Sequence, residues 1–211
     1  LQNTDYAAGR AYAAIPGATA TMGVSTIDTC TPAPYIASFS SRGPLAAGAG
    51  DLLKPDIAAP GQDILAAVSP VVGGLDFNLL SGTSMSSPHI AGLAALLKDL
   101  YPKWTPMMIK SALMTTAGDV LDGPNTNPLV IFRQGAGHVA PNKAADPGLV
   151  FKSDWNDWLG FLCGTQLPAA NCTSAGIPVL DPSNFNTPSI AIGDLVGTQT
   201  VTRTVTNVDH R

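Results

Sequence analysis

The chain has 211 residues and a formal charge of −4, with 12% charged residues, 6% aromatics, 21 Gly and 18 Pro. That length suits one large domain or two smaller ones, and the composition is that of a loop-rich, well-buried globular protein rather than a disordered one. It excludes a basic stripe for a nucleic-acid partner and an apolar run near the ~20 residues of a membrane span. The chain opens Leu1-Gln2-Asn3 with no initiator Met and no signal peptide. The expectation is an excised piece of something longer, so a missing signal carries no information.

Residues 1–34 are small and weakly periodic, and read as one or two short strands with a connecting loop. Residues 35–40 read as a strand ending at Ser41-Arg42-Gly43-Pro44. Pro55-Asp56-Ile57-Ala58-Ala59-Pro60-Gly61 reads as a short buried strand closed by a Pro-Gly turn, and residues 63–68 as another strand. A helix starting near Ser84 tolerates Pro88 in its first turns. Its body, residues 90–97, is apolar nearly all round and should be buried in a core. Thr105-Pro106, a cap followed by Pro at the first helical position, starts a second helix that stops around Gly118. Strands and helices alternating through residues 35–118 imply an α/β layered fold with a mainly parallel sheet. Residues 119–150 read as loops, and no helical pattern follows residue 165. Residues 189–192 and 200–206 alternate with period two, as half-buried antiparallel strands do. The expected division is a first domain over residues 1–160 and the opening strands of a β-sandwich over residues 161–211.

Cys30, Cys163 and Cys172 form no CxxC pair, and His89, His138 and His210 do not cluster with them, which argues against zinc. Cys163 and Cys172 enclose a short loop and suit a disulfide in an oxidising compartment; the alternative is two unrelated buried thiols. Cys30 is either free or paired outside this sequence. Asn171-Cys172-Thr173 matches the glycosylation pattern, weakly, since a bonded central Cys hinders modification.

The most informative stretch is Leu79-Leu80-Ser81-Gly82-Thr83-Ser84-Met85-Ser86-Ser87-Pro88-His89-Ile90-Ala91-Gly92. A short apolar run ends at a small-residue turn and a long apolar helix begins at once. Ser84 then has its hydroxyl at a helix N-terminus, where free N–H groups favour developing negative charge. That is the setting of a nucleophile whose own N–H helps form an oxyanion hole. The simpler alternative is that Thr83 or Ser84 caps the helix. The G-x-S-x-G elbow needs Gly two residues after the serine, and Ser86 stands there.

The run Gly82-Thr83-Ser84-Met85-Ser86-Ser87-Pro88-His89 resembles the nucleophile motif of the subtilases, the subtilisin-like serine proteases. Phe39-Ser40-Ser41-Arg42-Gly43-Pro44, Lys54-Pro55-Asp56-Ile57 through Gly61, and Trp104-Thr105-Pro106 with Ile109 through Ala117 are similar to further segments of that family. Gly135-Ala136-Gly137-His138-Val139, Pro147-Gly148-Leu149-Val150-Phe151 and Phe161-Leu162-Cys163-Gly164 resemble its plant-type, cucumisin-like branch. The resemblance implies the C-terminal half of a three-layer catalytic domain, then part of a fibronectin type III-like domain. It implies a secreted serine endopeptidase acting on protein or peptide substrates, with Ser84 as nucleophile and no cofactor. It also implies a triad Asp before Ser-Gly or Thr-Gly, a His before Gly-Thr and an oxyanion Asn in Ala-Gly-Asn. None of these occurs here, and His89 matches a non-catalytic histidine of the family. All three are expected upstream, in the missing N-terminal half of the same domain, and this chain alone is expected to be inactive. Many subtilases hold a metal ion near the strand of Lys54 and Asp56. Residues two apart share a strand face, so Lys54 is expected either to replace such a cation beside Asp56 or to form a solvated surface pair. Two other functions stay open: a non-catalytic subtilase-like binding domain, and an accessory module that binds through the period-two tail.

Overall fold

A computed structural model describes residues 11–19, 32–71, 74, 76–123 and 127–209. Its named elements are strands β1 (Ile64–Ala67) and β2 (Phe77–Leu80), then helices α1 (Thr83–Leu100), α2 (Pro106–Thr115), α3 (Pro128–Gln134) and α4 (Pro141–Ala144). Strand β3 (Leu149–Phe151), helices α5 (Trp155–Thr165) and α6 (Ala169–Ser174) and strand β4 (Val205–Asn207) complete it. Helices and small sheets together make the α/β class expected. The expectation for residues 1–34 falls largely outside the described residues, as do those for Cys30 and His210, and residues 11–13 are helical rather than strand.

The sheets differ from expectation. Both ladders among the described residues are antiparallel: β1 with β2, Leu65 opposite Leu79, and β3 with β4, Val150 opposite Thr206. Among the described residues, parallel pairing is confined to a bridge between Ala58 and His138. Residues 35–40 form no strand. Their backbone groups go elsewhere: Ile36 N–H donates to Asp122 Oδ2 at 2.8 Å, and Ser40 N–H closes a turn on Ala37 O at 3.0 Å. The segment around Ala58 is half-buried and pairs only locally, with Ala58 N–H on Gly137 O and Val139 N–H on Ala58 O. Residues 189–192 join no ladder.

Three helices fall where sequence reading saw none. In α3, Asn127 accepts from Leu129 N–H and Pro128 follows it, the same cap-then-Pro signal as Thr105-Pro106. Pro141 begins the single turn of α4 in the same way. Helix α6 is six residues of small and polar side chains, pinned at its buried Cys172 by the disulfide to Cys163. Helix α5 starts with a capping box, Asp154 accepting from Asn156 and Asp157 N–H while Asp157 accepts from Asp154 N–H.

Two apolar clusters organise the packing. The first gathers Leu97, Trp104, Ile109, Ala112, Leu113, Val139, Ala144 and Val150 around α2. Buried Ser111 accepts from Phe151 N–H at 2.8 Å and so ties α2 to β3. The second joins Leu52, Phe161 and Phe185, with Trp158 closing an aromatic trio whose centroids lie 4.4–5.9 Å apart. Around Phe185, residues 183–187 bury Ser183, Phe185 and Thr187 and turn Asn184 and Asn186 outward. Those two amides carry the tail: Thr202 N–H donates to Asn184 Oδ1 and Thr204 N–H to Asn186 Oδ1, both at 2.9 Å. The alternating tail therefore hangs on side chains until β4 begins.

Candidate active site around Ser84

The site is built on backbone contact. Gly135, at φ 61°, and Gly137, at φ 111°, take conformations that glycine alone adopts freely. A Cβ on Gly135 would strike Pro55 O, and one on Gly137 would strike Gly118 O. This tight turn lets His138 exchange hydrogen bonds with Gly118 and sets the segment of Ala58 alongside. Residues 58–61 then run under the turn that joins β2 to α1, where Gly82 N–H donates to Gly61 O at 2.7 Å.

Ser84 stands at the second position of α1, solvent-exposed. Its hydroxyl forms no hydrogen bond with any described residue. The N-cap is Gly82, which has no side chain to offer, and the first turn holds no acidic residue. Neither Thr83 nor Ser84 caps the helix, so the capping alternative fails. First-turn N–H groups without a capping side chain or a compensating carboxylate leave the positive end of an 18-residue helix available to a developing anion.

Neither described histidine is hydrogen-bonded to Ser84. His89 Nδ1 lies 2.7 Å from Met85 O, on the backbone of its own helix. His138 Nδ1 lies 3.1 Å from Val139 O, and its ring lines a cavity of about 480 Å³ beside the turn, with Gly61, Thr83, Ser86 and Phe39. Ser84 is not in that lining.

Beyond the turn, Asp56 is held by two cations. Lys54 Nζ is 2.6 Å from Oδ2 and Lys110 Nζ is 2.9 Å from Oδ1. Lys54 and Asp56 meet as expected, although their segment is irregular backbone rather than the strand expected. The pair is half-buried, and Lys110, reaching from α2, is an addition that no spacing rule along one strand reveals. Burial alone would raise the Asp56 carboxyl, but Lys110 and Lys54 outweigh it and hold it below its ordinary range. The Lys110 ammonium moves down, through burial first and the like charge of Lys54 second, against the pull of Asp56. Both directions follow from two ammonium groups sharing one carboxylate.

Cys163 and Cys172 are joined in a disulfide, with Cα atoms 6.0 Å apart. Asn171 is exposed on α6, next to buried Cys172.

Compared with protein families, the chain matches the subtilase family over residues 4–137. It belongs to that family. Among relatives in Arabidopsis thaliana it is 47% identical to the subtilisin-like protease SBT2.5, over 83% of this chain and 25% of that protein. It is 46% identical to SBT2.6 over the same shares, and 42% identical to SBT1.7 over 92% of this chain and 29% of that protein. The subtilase chain thus spans about a quarter of the length of the curated relatives it matches. Among its described residues, no helix is long and apolar enough to cross a membrane.

Proposed function

We propose that this subtilase is a secreted serine endopeptidase in which Ser84 is the nucleophile. One observation carries the reading: an exposed, unengaged hydroxyl at the second position of a long helix whose N-cap offers no side chain. A base takes the Ser84 proton as Oγ attacks the peptide carbonyl. The Ser84 N–H then donates to the oxyanion, and water later resolves the acyl-enzyme. His89 and His138 are turned to backbone carbonyls, and no Asp or His here stands in the family's triad contexts. The base, its orienting Asp and the oxyanion Asn therefore belong to parts of the protein outside these 211 residues. Without the base the chain alone should lose about 10⁶-fold in rate. The bonded Cys163 and Cys172 suit an oxidising, extracellular setting. Residues 1–160 are assigned to the catalytic domain and residues 161–211 to the start of a fibronectin type III-like domain, with Asn171 as a weak glycosylation site.

The test is a serine-directed phosphonylating reagent applied to the full-length protein. The label is expected on Ser84, and Ser84→Ala should abolish both labelling and proteolysis. Label on Ser81, Ser86 or Ser87 with Ser84 unmodified would overturn the assignment.

A further inference from the structure

We infer that Ser81 and Asp63 are positioning residues, a hydrogen-bonded clasp that fixes the strand-to-helix turn carrying Ser84; this rests on Ser84 being the nucleophile. Ser81 lies between the end of β2 and the N-cap Gly82. Its hydroxyl accepts from Asp63 N–H at 2.8 Å and donates to Asp63 Oδ1 at 3.1 Å. One residue thus engages the hydroxyl both as acceptor and as donor, so a single rotation of the Ser81 side chain breaks two hydrogen bonds. The next residue, Gly82, is held by Gly61 through its N–H. Gly61 itself leaves no room for a Cβ, which would collide with Ser86 Oγ and come within 2.8 Å of Gly82 O.

Two successive residues of the turn are therefore gripped by residues 61 and 63 of one segment. That segment continues from the Ala58–His138 bridge, a fixed point of the fold. Asp63 adopts φ 53°, a left-handed conformation costly for most side chains and best tolerated by Asp, Asn and Gly. Both clasp side chains are exposed, where water competes for each hydrogen bond and the net stability gained is small. Orientation is a different matter. The candidate nucleophile lies three residues beyond Ser81, in the first turn of α1, so a loosened turn swings Ser84 relative to any bound carbonyl. A misplacement of about 1 Å can cost up to 10²-fold in rate.

The experiment uses the full-length protein with Ser81→Ala, Ser81→Thr, Asp63→Gly and Asp63→Asn. Four quantities are read: the rate of Ser84 phosphonylation, kcat and KM on one peptide, the thermal midpoint, and hydrogen exchange of the Gly82 amide. Ser81→Ala and Asp63→Gly should slow labelling and lower kcat about tenfold, with KM within about twofold of wild type. Ser81→Thr keeps the hydroxyl, and Asp63→Asn keeps both an acceptor oxygen and the tolerance for positive φ; each should stay within about threefold. Exchange at Gly82 should rise about tenfold in Ser81→Ala while the midpoint stays put. Wild-type labelling and kcat in Ser81→Ala, or an equal loss in Ser81→Thr, would overturn the clasp. A wild type that does not label at Ser84 would instead defeat the nucleophile reading; unchanged exchange at Gly82 in Ser81→Ala would then still overturn the clasp.

Discussion

Helices α1 and α2 follow one another and are both apolar, yet they live in different surroundings. Helix α1 has 18 residues and buries one of them, Leu97, while Leu96 and Leu100 are 66% and 56% exposed. Helix α2 has 10 residues and buries Ile109, Ser111, Ala112, Leu113 and Met114. The shorter helix is wrapped by α1, α4 and β3 and forms the centre of the larger cluster. The longer one carries the candidate nucleophile and leaves most of its apolar surface uncovered by described residues. Apolar composition says that a helix needs covering; it does not say that the cover lies within these 211 residues. In this chain α1 carries the candidate nucleophile and α2 holds the core.

The widest test of that contrast is Ser84→Ala in the full-length protein. It should remove about 10⁶-fold in rate while moving unfolding stability by no more than about 0.5 kcal/mol. A large stability loss would mean that Ser84 is structural. Next comes a pair of truncations in the 211-residue chain, read by denaturant unfolding. Leu113→Ala, at a buried position, should cost about 2–5 kcal/mol, whereas Leu96→Ala should stay within about 0.5 kcal/mol. Equal costs would show that α1 is packed in solution. Removing the disulfide with Cys163→Ala and Cys172→Ala should cost about 2–3 kcal/mol by loop closure, with the loss confined to α5 and α6 in hydrogen exchange.

The smallest effect is expected at Asp56, where the segment of residues 54–58 meets α2. Its carboxyl lies below the ordinary value of 3.8, so the stability it contributes is complete above that value and is lost as pH falls through the folded one. Lys54→Met should raise the acid midpoint of unfolding by removing one of the two cations. No shift would mean that Lys110 alone sets the carboxyl. Lys110 works in the other direction: its lowered value means that its cost persists at neutral pH and is relieved only as pH rises toward 10.5. If Lys54 takes the place of a metal, chelator should leave the wild-type thermal midpoint unchanged and lower that of Lys54→Met.

Helix α2 was legible because Thr105 and Pro106 mark its start, with Thr105 Oγ1 accepting from Met108 N–H at 3.3 Å. Asn127-Pro128 carries the same signal for α3 but heads only seven residues, too few to show a periodic face. The capping box Asp154 to Asp157 would have located α5 had Asp been admitted where Ser and Glu are usual. The tail was read as strand by its alternation, and only β4 pairs. A period of two records which side chains face inward, not whether the neighbouring backbone or an Asn amide takes the N–H groups. At the site, Ser84 was legible from its motif, whereas the Asp63–Ser81 clasp and the approach of Lys110 to Asp56 were not. The β1–β2 ladder, with Ile64 opposite Leu80, brings Asp63 beside Ser81, and the packing of α2 brings Lys110 to Asp56, contacts that only the folded chain displays.

The pairing of β3 with β4 has a consequence in time. Phe151 and Val205 are partners, and α5, α6 and the Phe185 cluster lie in the segment between them. During synthesis β3 therefore waits, one edge open, until Asn207 has left the ribosome. Closing so long a loop adds only slowly to the entropic cost, but it delays the event relative to helix formation. A chain arrested before residue 204 would expose that edge, and an open edge recruits other strands. Residues 205–207 thus close an edge that residues 149–151 otherwise leave open.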